Sequence, residues 1–236
     1  MTAETLIREL GGRNGMALCP AHDDRNPSLH ITQKQDRVLL KCFAGCTQKA
    51  VIEALKARGL WNVVDTPQST KIIAEYNYTD ERGELLYQVV RKEPKAFLQR
   101  YPDGSGGWIW KKHPNQVLYR LPEVLEAPIV FITEGEKDAE VLRQYGFVAT
   151  TNAGGCRAPW LDSFTEVLRG RECIIIPDND PPGWKRAALI AKKLLGSAAR
   201  IRVLDLPRES KDVSDWFTAG HSECELISML EGVDAV

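Results

Sequence analysis

The stretch CIIIPDNDPPG, residues 173–183, decides the reading. An apolar, β-branched run stops at Pro177, and two aspartates follow one residue apart, Asp178 and Asp180. The run has the character of a strand buried on both faces. Carboxylates held this close repel each other, and a fold keeps them together when a proton, a basic partner or a metal ion neutralises them. The alternative is that they are turn residues capping the next helix, a common use of Asp and Asn.

Outward from this stretch, residues 128–232 alternate between two periods. PIVFITEG (128–135), FVATTN (147–152) and ARIRVLDLP (199–207) read as strands. EKDAEVLRQYG (136–146), APWLDSFTEVLRG (158–170) and GWKRAALIAKKLLG (183–196) read as helices, and two short helices close the segment. Strands alternating with helices imply a parallel sheet covered on its faces. In such a sheet chemistry gathers at the carboxyl ends of the strands. PIVFIT ends in Glu134 and CIIIP ends in Asp178 and Asp180. If these strands are neighbours, three carboxylates converge. Asp138 lies one helical turn beyond Glu134, and KDVSDW (211–216) brings Asp212 and Asp215 after the last strand. Oxygen-only ligands suit Mg²⁺ or Mn²⁺. Two such ions on shared carboxylates activate a hydroxyl and stabilise a leaving pyrophosphate.

The first segment, residues 1–62, is of another kind. Cys19 and His22 are spaced C-x-x-H, and Cys42 and Cys46 are spaced C-x-x-x-C. Between the pairs, SLHIT (28–32) and RVLLK (37–41) read as a hairpin. After them, TQKAVIEALKARGL (47–60) reads as an amphipathic helix with Thr47 as its N-cap. Three sulfurs and one imidazole make a closed tetrahedral set for structural Zn²⁺, and the metal replaces a core too small to hold the segment. His30 is a competing ligand, but it sits inside a strand. The remaining cysteines, Cys156, Cys173 and Cys224, are read as packing residues.

DTPQST (65–70) has linker composition, and residues 71–122 then alternate as strands of an antiparallel, β-rich module with turns at TDERG and PDGSGG. From Arg91 to Arg120 there are seven basic residues against two acids, a local charge of +5 in a chain whose net charge is −1. Arg91, Lys92, Lys95, Arg100, Lys111 and Lys112 are candidates to track phosphates or a nucleoside triphosphate, and Trp108 and Trp110 to stack on bases. The competing reading is a solvated basic face with the aromatics as its core.

The 236 residues, 43% apolar and 27% charged, are ordinary for a soluble globular protein. No stretch approaches the roughly 18–20 apolar residues of a membrane span, and MTAETLIREL has no signal-peptide character. The expected setting is the cytoplasm of a bacterial cell, or of one carrying a phage or plasmid. No G-x-x-x-x-G-K-[ST] phosphate loop occurs, so the sequence encodes no helicase motor of that type.

Together these residues resemble the TOPRIM domain of bacterial-type primases, topoisomerases and some nucleases. The signature is Glu134 in TEGEKDA and Asp178 with Asp180 in PDNDPPG, and KDVSDW is similar to a further acidic motif of the primase branch. CPAHDDRNPSLHI and KCFAGC resemble the zinc-binding domain of the same primases, and the two modules occur in the primase order. The departures are a C-x-x-x-C second knuckle where the replicative bacterial primase has C-x-x-C, and a middle module much smaller than the basic domain of that primase.

The resemblance is to phage and plasmid replication primases. It implies a multi-domain α/β protein, with a zinc ribbon over 1–62, a basic β-rich module over 71–122 and a TOPRIM domain over 128–232. It implies Glu134 as catalytic acid or base and Asp178 and Asp180 as metal-binding residues. The implied activity is synthesis of RNA primers on single-stranded DNA from ribonucleoside triphosphates, with structural Zn²⁺, catalytic Mg²⁺ or Mn²⁺, and a replicative helicase on a separate chain. The competing functions are a metal-dependent nuclease and a non-catalytic nucleic-acid-binding module. The large strand-passage domains of a topoisomerase are missing.

Overall fold

The computed structural model describes residues 2–34, 37–61 and 71–236. The linker-like stretch 65–70 lies outside the described residues. The chain divides into two compact units, Met1–Ser69 and Thr70–Val236.

The first unit holds helix α1 (Ala3–Glu9), strands β1 (Met16–Ala17), β2 (Leu29–Lys34) and β3 (Arg37–Cys42), and helix α2 (Gln48–Ala57). The strands form an antiparallel sheet in the order β1-β2-β3, with Leu29 opposite Cys42. Thr47 caps α2, its hydroxyl accepting from the Ala50 amide at 3.2 Å. That helix turns Val51 and Leu55 onto a core of Leu6, Ala17, Leu29 and Ile31. A core of this size is small for independent stability.

The second unit contains two sheets. Strands β4 (Lys71–Thr79), β5 (Leu85–Glu93), β6 (Ala96–Pro102) and β7 (Trp108–Ile109) form an antiparallel meander. After helix α3 (Leu121–Glu126) the chain alternates through β8 (Ile129–Ile132), α4 (Glu136–Gln144), β9 (Ala149–Thr150), α5 (Asp162–Val167), β10 (Glu172–Ile175), α6 (Pro181–Leu194) and β11 (Arg200–Val203). Helices α7 (Val213–Thr218) and α8 (Glu223–Glu231) follow. The second sheet runs β11-β10-β8-β9, and every pair in it is parallel.

The apolar runs of β8 and β10 are explained by burial on both faces. On one side Val130, Ile132, Cys173 and Ile175 pack with Ala187 and Ile190 of α6. On the other, Phe131 and Ile174 pack with Trp216 of α7 and with Tyr76, Tyr78, Tyr87 and Val89 of the antiparallel sheet. The Tyr78 and Tyr87 rings stack at 4.6 Å in this shared layer. The Tyr78 hydroxyl donates to the buried Glu136 carboxylate at 2.8 Å, which ties the antiparallel sheet to the first turn of α4. No helix among the described residues is long and apolar enough to cross a membrane.

Candidate functional site

The N-terminal cluster is built by the hairpin. Strand β3 ends at Cys42, and the knuckle after it reaches Cys46 just before α2. Cys19 and His22 lie between β1 and β2. The ligand atoms of Cys19, His22, Cys42 and Cys46 all lie within 4.8 Å of one another. Among the described residues no other set of three or more His, Cys, Asp or Glu is gathered this closely. His22 Nδ1 is 3.2 Å from Cys46 Sγ, so this nitrogen faces the cluster.

The thiols feel one another. Burial pushes the Cys19 thiol up to about 12. Burial also acts on Cys42, but hydrogen bonds from the Cys46 amide and the Ser28 hydroxyl bring it down to about 7. A cation binding the thiolates relieves this conflict, and the donor set fits Zn²⁺. His30 belongs to β2, outside the cluster.

Asp24 is a residue the sequence reading passed over. Its Oδ2 accepts from the Cys19 amide at 2.8 Å and from the Ser28 hydroxyl at 2.6 Å, and its Oδ1 lies 3.4 Å from His22 Nε2. The bond from Ser28 is the main reason its carboxyl is lowered to about 2. One carboxylate thus fixes both the backbone of one ligand and the ring of another.

The acidic residues gather at the carboxyl edge of the parallel sheet. Strands β8 and β10 are direct neighbours, with Ile132 opposite Ile175, so the segments carrying Glu134 and Asp178 leave the sheet side by side. Asp178 is half-buried. Burial, and then the charges of Glu134, Asp138 and Asp212, push its carboxyl up to about 7, with Lys211 opposing. Asp138 is raised by its own burial and by Asp212, and its carboxylate accepts from Ser214 Oγ at 2.5 Å. Glu134 Oε2 is buried and has no hydrogen-bond partner among the described residues. An orphaned buried carboxylate oxygen beside a strongly raised aspartate fits a divalent cation, which would satisfy the one and favour ionisation of the other.

Two of the acids also do helix work. Asp180 caps α6 through the Gly183 amide at 2.8 Å, and Asp212 caps α7 through the Asp215 amide at 2.7 Å. The capping reading of Asp180 therefore describes one of its oxygens. Asp215 is exposed.

Asn179 holds the edge together. Its backbone amide donates to Lys211 O at 2.7 Å, and its side-chain amide reaches the carbonyls of Leu206, Pro207 and Ser210. This pins the aspartate loop to the loop that delivers Asp212. Gly183 is required by close approach, since a Cβ there would lie 2.4 Å from Asp178 O. Gly154 and Gly155 take positive φ and make the tight turn that passes Glu134. Cys156 follows this turn, and burial and then the charge of Glu134 raise its thiol, so it is a neighbour of the site as well as a packing residue. Cys173 is buried in the core and Cys224 is exposed.

The basic candidates divide. Arg100 is buried in the antiparallel sheet, donating to Gln88 at 2.7 Å and to Glu75 at 2.6 Å, with its guanidinium 4.1 Å from the Trp108 ring centre. Trp108 is partly buried, while Trp110 is 47% exposed and lies under Lys92 at 4.5 Å. Arg91 lies over the Phe97 ring at 5.8 Å. Lys95, Lys111 and Lys112 are exposed.

Solved structures share this fold. The *Aquifex aeolicus* primase, covering its zinc-binding and RNA polymerase domains, matches 80% of this chain with a TM-score of 0.53 and 16% identity. A primase catalytic domain bound to single-stranded DNA matches 82% with a TM-score of 0.52 and 18% identity. The chain has the fold of the DNA primases. A bacteriophage T7 assembly, in which a lagging-strand DNA polymerase interacts with primase domains bound to an RNA/DNA hybrid, matches 69% with a TM-score of 0.53 and 20% identity. The chain spans 50% of the *Aquifex* chain, 63% of the DNA-bound catalytic domain and 78% of the T7 chain. No family model and no curated protein matches the sequence.

Proposed function

We propose that this chain is a DNA primase, a nucleotidyltransferase that joins ribonucleoside triphosphates on a single-stranded DNA template. The observation that carries the reading is the gathering of acids around Asp178, with its carboxyl pushed to about 7, beside the orphaned oxygen of Glu134. Asp178, Asp180, Asp138 and Asp212 would hold Mg²⁺ or Mn²⁺. Such ions, when bound, neutralise triphosphate oxygens and favour an ionised attacking hydroxyl.

Glu134 then accepts the proton of a 3′-hydroxyl as that oxygen bonds the α-phosphorus of the incoming nucleotide. The bond from that phosphorus to the bridging oxygen breaks, and pyrophosphate leaves with the electron pair. Lys95, Lys111 and Lys112, exposed on the same unit, would track phosphates, and Trp110 would stack on a base. Arg100 supports this face from beneath by fixing Trp108. Zinc at Cys19, His22, Cys42 and Cys46 would be structural, because four protein ligands leave no open position. The fold neighbours bound to single-stranded DNA and to an RNA/DNA hybrid support the same partners here. A replicative helicase on another chain would supply unwound template.

The test incubates the zinc-loaded protein with single-stranded DNA, labelled ribonucleotides and Mg²⁺ or Mn²⁺. Template-dependent oligoribonucleotides are expected, with loss of at least about 10²-fold in Glu134→Gln. Shortening of the DNA would establish a nuclease instead. Binding without either product would leave a nucleic-acid platform.

A further inference from the structure

Between the turn at residues 155–157 and helix α6 lies a cleft of about 710 Å³. Concave binding sites ordinarily measure about 300–1,000 Å³. The wall is mainly apolar, made by Pro159, Pro181, Pro182 and Leu189, and Leu189 is 46% exposed. Two exposed cations, Arg157 and Lys185, stand at its rim. Among the described residues no carboxylate lines it. Lys185 and Leu189 are four residues apart on α6 and so share a face, which Lys192 continues one turn later. Arg186, the third cation, is committed elsewhere. It is only 8% exposed, donates to Ala158 O at 2.6 Å and to Asn152 Oδ1 at 2.5 Å, and has Glu134 as an anionic neighbour. Its part is to hold the turn against α6.

The start of α6 offers nothing to a phosphate. Helix N-termini hold phosphates through free backbone N–H groups. Here the first two helical positions are Pro181 and Pro182, which have none. The next two amides are spent on Asp180: Gly183 N donates to its Oδ1 at 2.8 Å, and Trp184 N to its backbone oxygen at 3.1 Å. A proline surface without donors suits an apolar side chain instead. The rim cations are unspent. Neither Arg157 nor Lys185 forms an ion pair with any described residue, whereas Lys193 of the same helix is held by Asp162 at 2.9 Å. The other large cleft, about 550 Å³, is closed in charge, since its Glu75, Glu123 and Glu140 are engaged by Arg100, Arg143 and Arg120. An apolar wall with free cations at its rim and no acid of its own is complementary to an apolar side chain carried among carboxylates.

We infer that the cleft between residues 155–157 and α6 is a docking site for a partner protein. It takes an acidic segment whose large apolar side chain enters between the prolines and Leu189 while its carboxylates meet Arg157 and Lys185. Docking of this kind needs neither nucleotide nor Mg²⁺, so it does not rest on the polymerase reading. Pro181 directly follows Asp180, so a partner seated here stands beside the acidic edge without entering it.

Random peptides displayed on phage, selected on the zinc-loaded chain without nucleotide or Mg²⁺, test it. The enriched sequences are expected to carry Asp or Glu around a Phe, Trp or Leu. The strongest of them, synthesised with a fluorescent label, is titrated by anisotropy against wild type and two variants that change only exposed side chains. Arg157→Ala/Lys185→Ala is expected to weaken it about fivefold or more, and Leu189→Ala by a similar factor. Affinity for an oligo(dT) strand should be unchanged in both. No enrichment, enrichment of basic or uncharged sequences, or unchanged peptide affinity in either variant would overturn the inference. Loss of oligo(dT) affinity in the double variant would assign the cleft to nucleic acid, and self-association of the chain abolished by Leu189→Ala would assign it to a second copy. Either result overturns the docking of an acidic partner. Primer synthesis is read separately: a chain that docks the peptide and makes no oligoribonucleotide refutes the polymerase reading and leaves the docking site standing.

Discussion

The two ends of the chain gather metal-type ligands in opposite ways. In the Cys/His cluster, four ligand atoms stand within 4.8 Å of one another and the set is complete. At the acidic edge no three carboxylates close to that distance, and the groups sense each other through charge. The difference follows from ligand chemistry. Neutral thiols and an imidazole can crowd before a metal arrives, whereas carboxylates repel. The edge must therefore be held apart by the fold, through caps at Asp180 and Asp212 and the stitching of Asn179. The cluster organises a small core, while the edge is organised by a large one.

Removing the metal from each end breaks the comparison most sharply. Chelation of zinc is expected to unfold residues 2–61, because apparent zinc-binding energies in small domains are of order 10–16 kcal/mol. The second unit should keep its structure, which two-dimensional NMR with and without chelator would reveal. Next in size is Asp24→Ala, which frees the Cys19 amide, Ser28 and His22 together. Zinc affinity should fall by roughly 10–100-fold in competition with a chromophoric chelator.

At the acidic edge the effects are smaller. Gly183→Ala places a Cβ against the Asp178 carbonyl and should cost about 1–3 kcal/mol in denaturant unfolding. Asp178→Asn runs the other way. It removes a repelled charge and should raise the melting temperature of the metal-free chain by about 1–2 °C, after allowance for solvent screening at this half-exposed group. It should also abolish stabilisation by Mg²⁺.

The same group sets a pH dependence. Its carboxyl is raised from 3.8 to about 7 in the folded chain. The folded state therefore keeps a proton that the unfolded state releases within this window, and its contribution to stability declines as pH rises through the window. Melting curves of wild type against Asp178→Asn should diverge with rising pH and become parallel above about 7. A constant difference would show that the carboxyl is not raised.

What the sequence made legible was local. The C-x-x-H and C-x-x-x-C spacings flank one hairpin, so the cluster needs only short-range structure. The strand-end acids followed from the buried runs of β8 and β10 and from the logic of parallel sheets. Long-range partners carried no signal: Ser214 on Asp138, Tyr78 on Glu136 and Asn179 on residues 206–210 are joined only by the tertiary fold. Composition likewise could not separate Arg100, spent on Glu75 and Gln88, from the exposed Lys95, Lys111 and Lys112.

The tyrosine layer shared by the two sheets limits how this molecule can be cut. A gene fragment starting at residue 128 would encode a greasy wall of Phe131, Ile174 and Trp216 open to water, with Glu136 stranded beside it. Such a fragment should clump when expressed by itself. Recombination that respects this layer has to join its halves ahead of residue 71, so the meander and the parallel sheet have to be exchanged together.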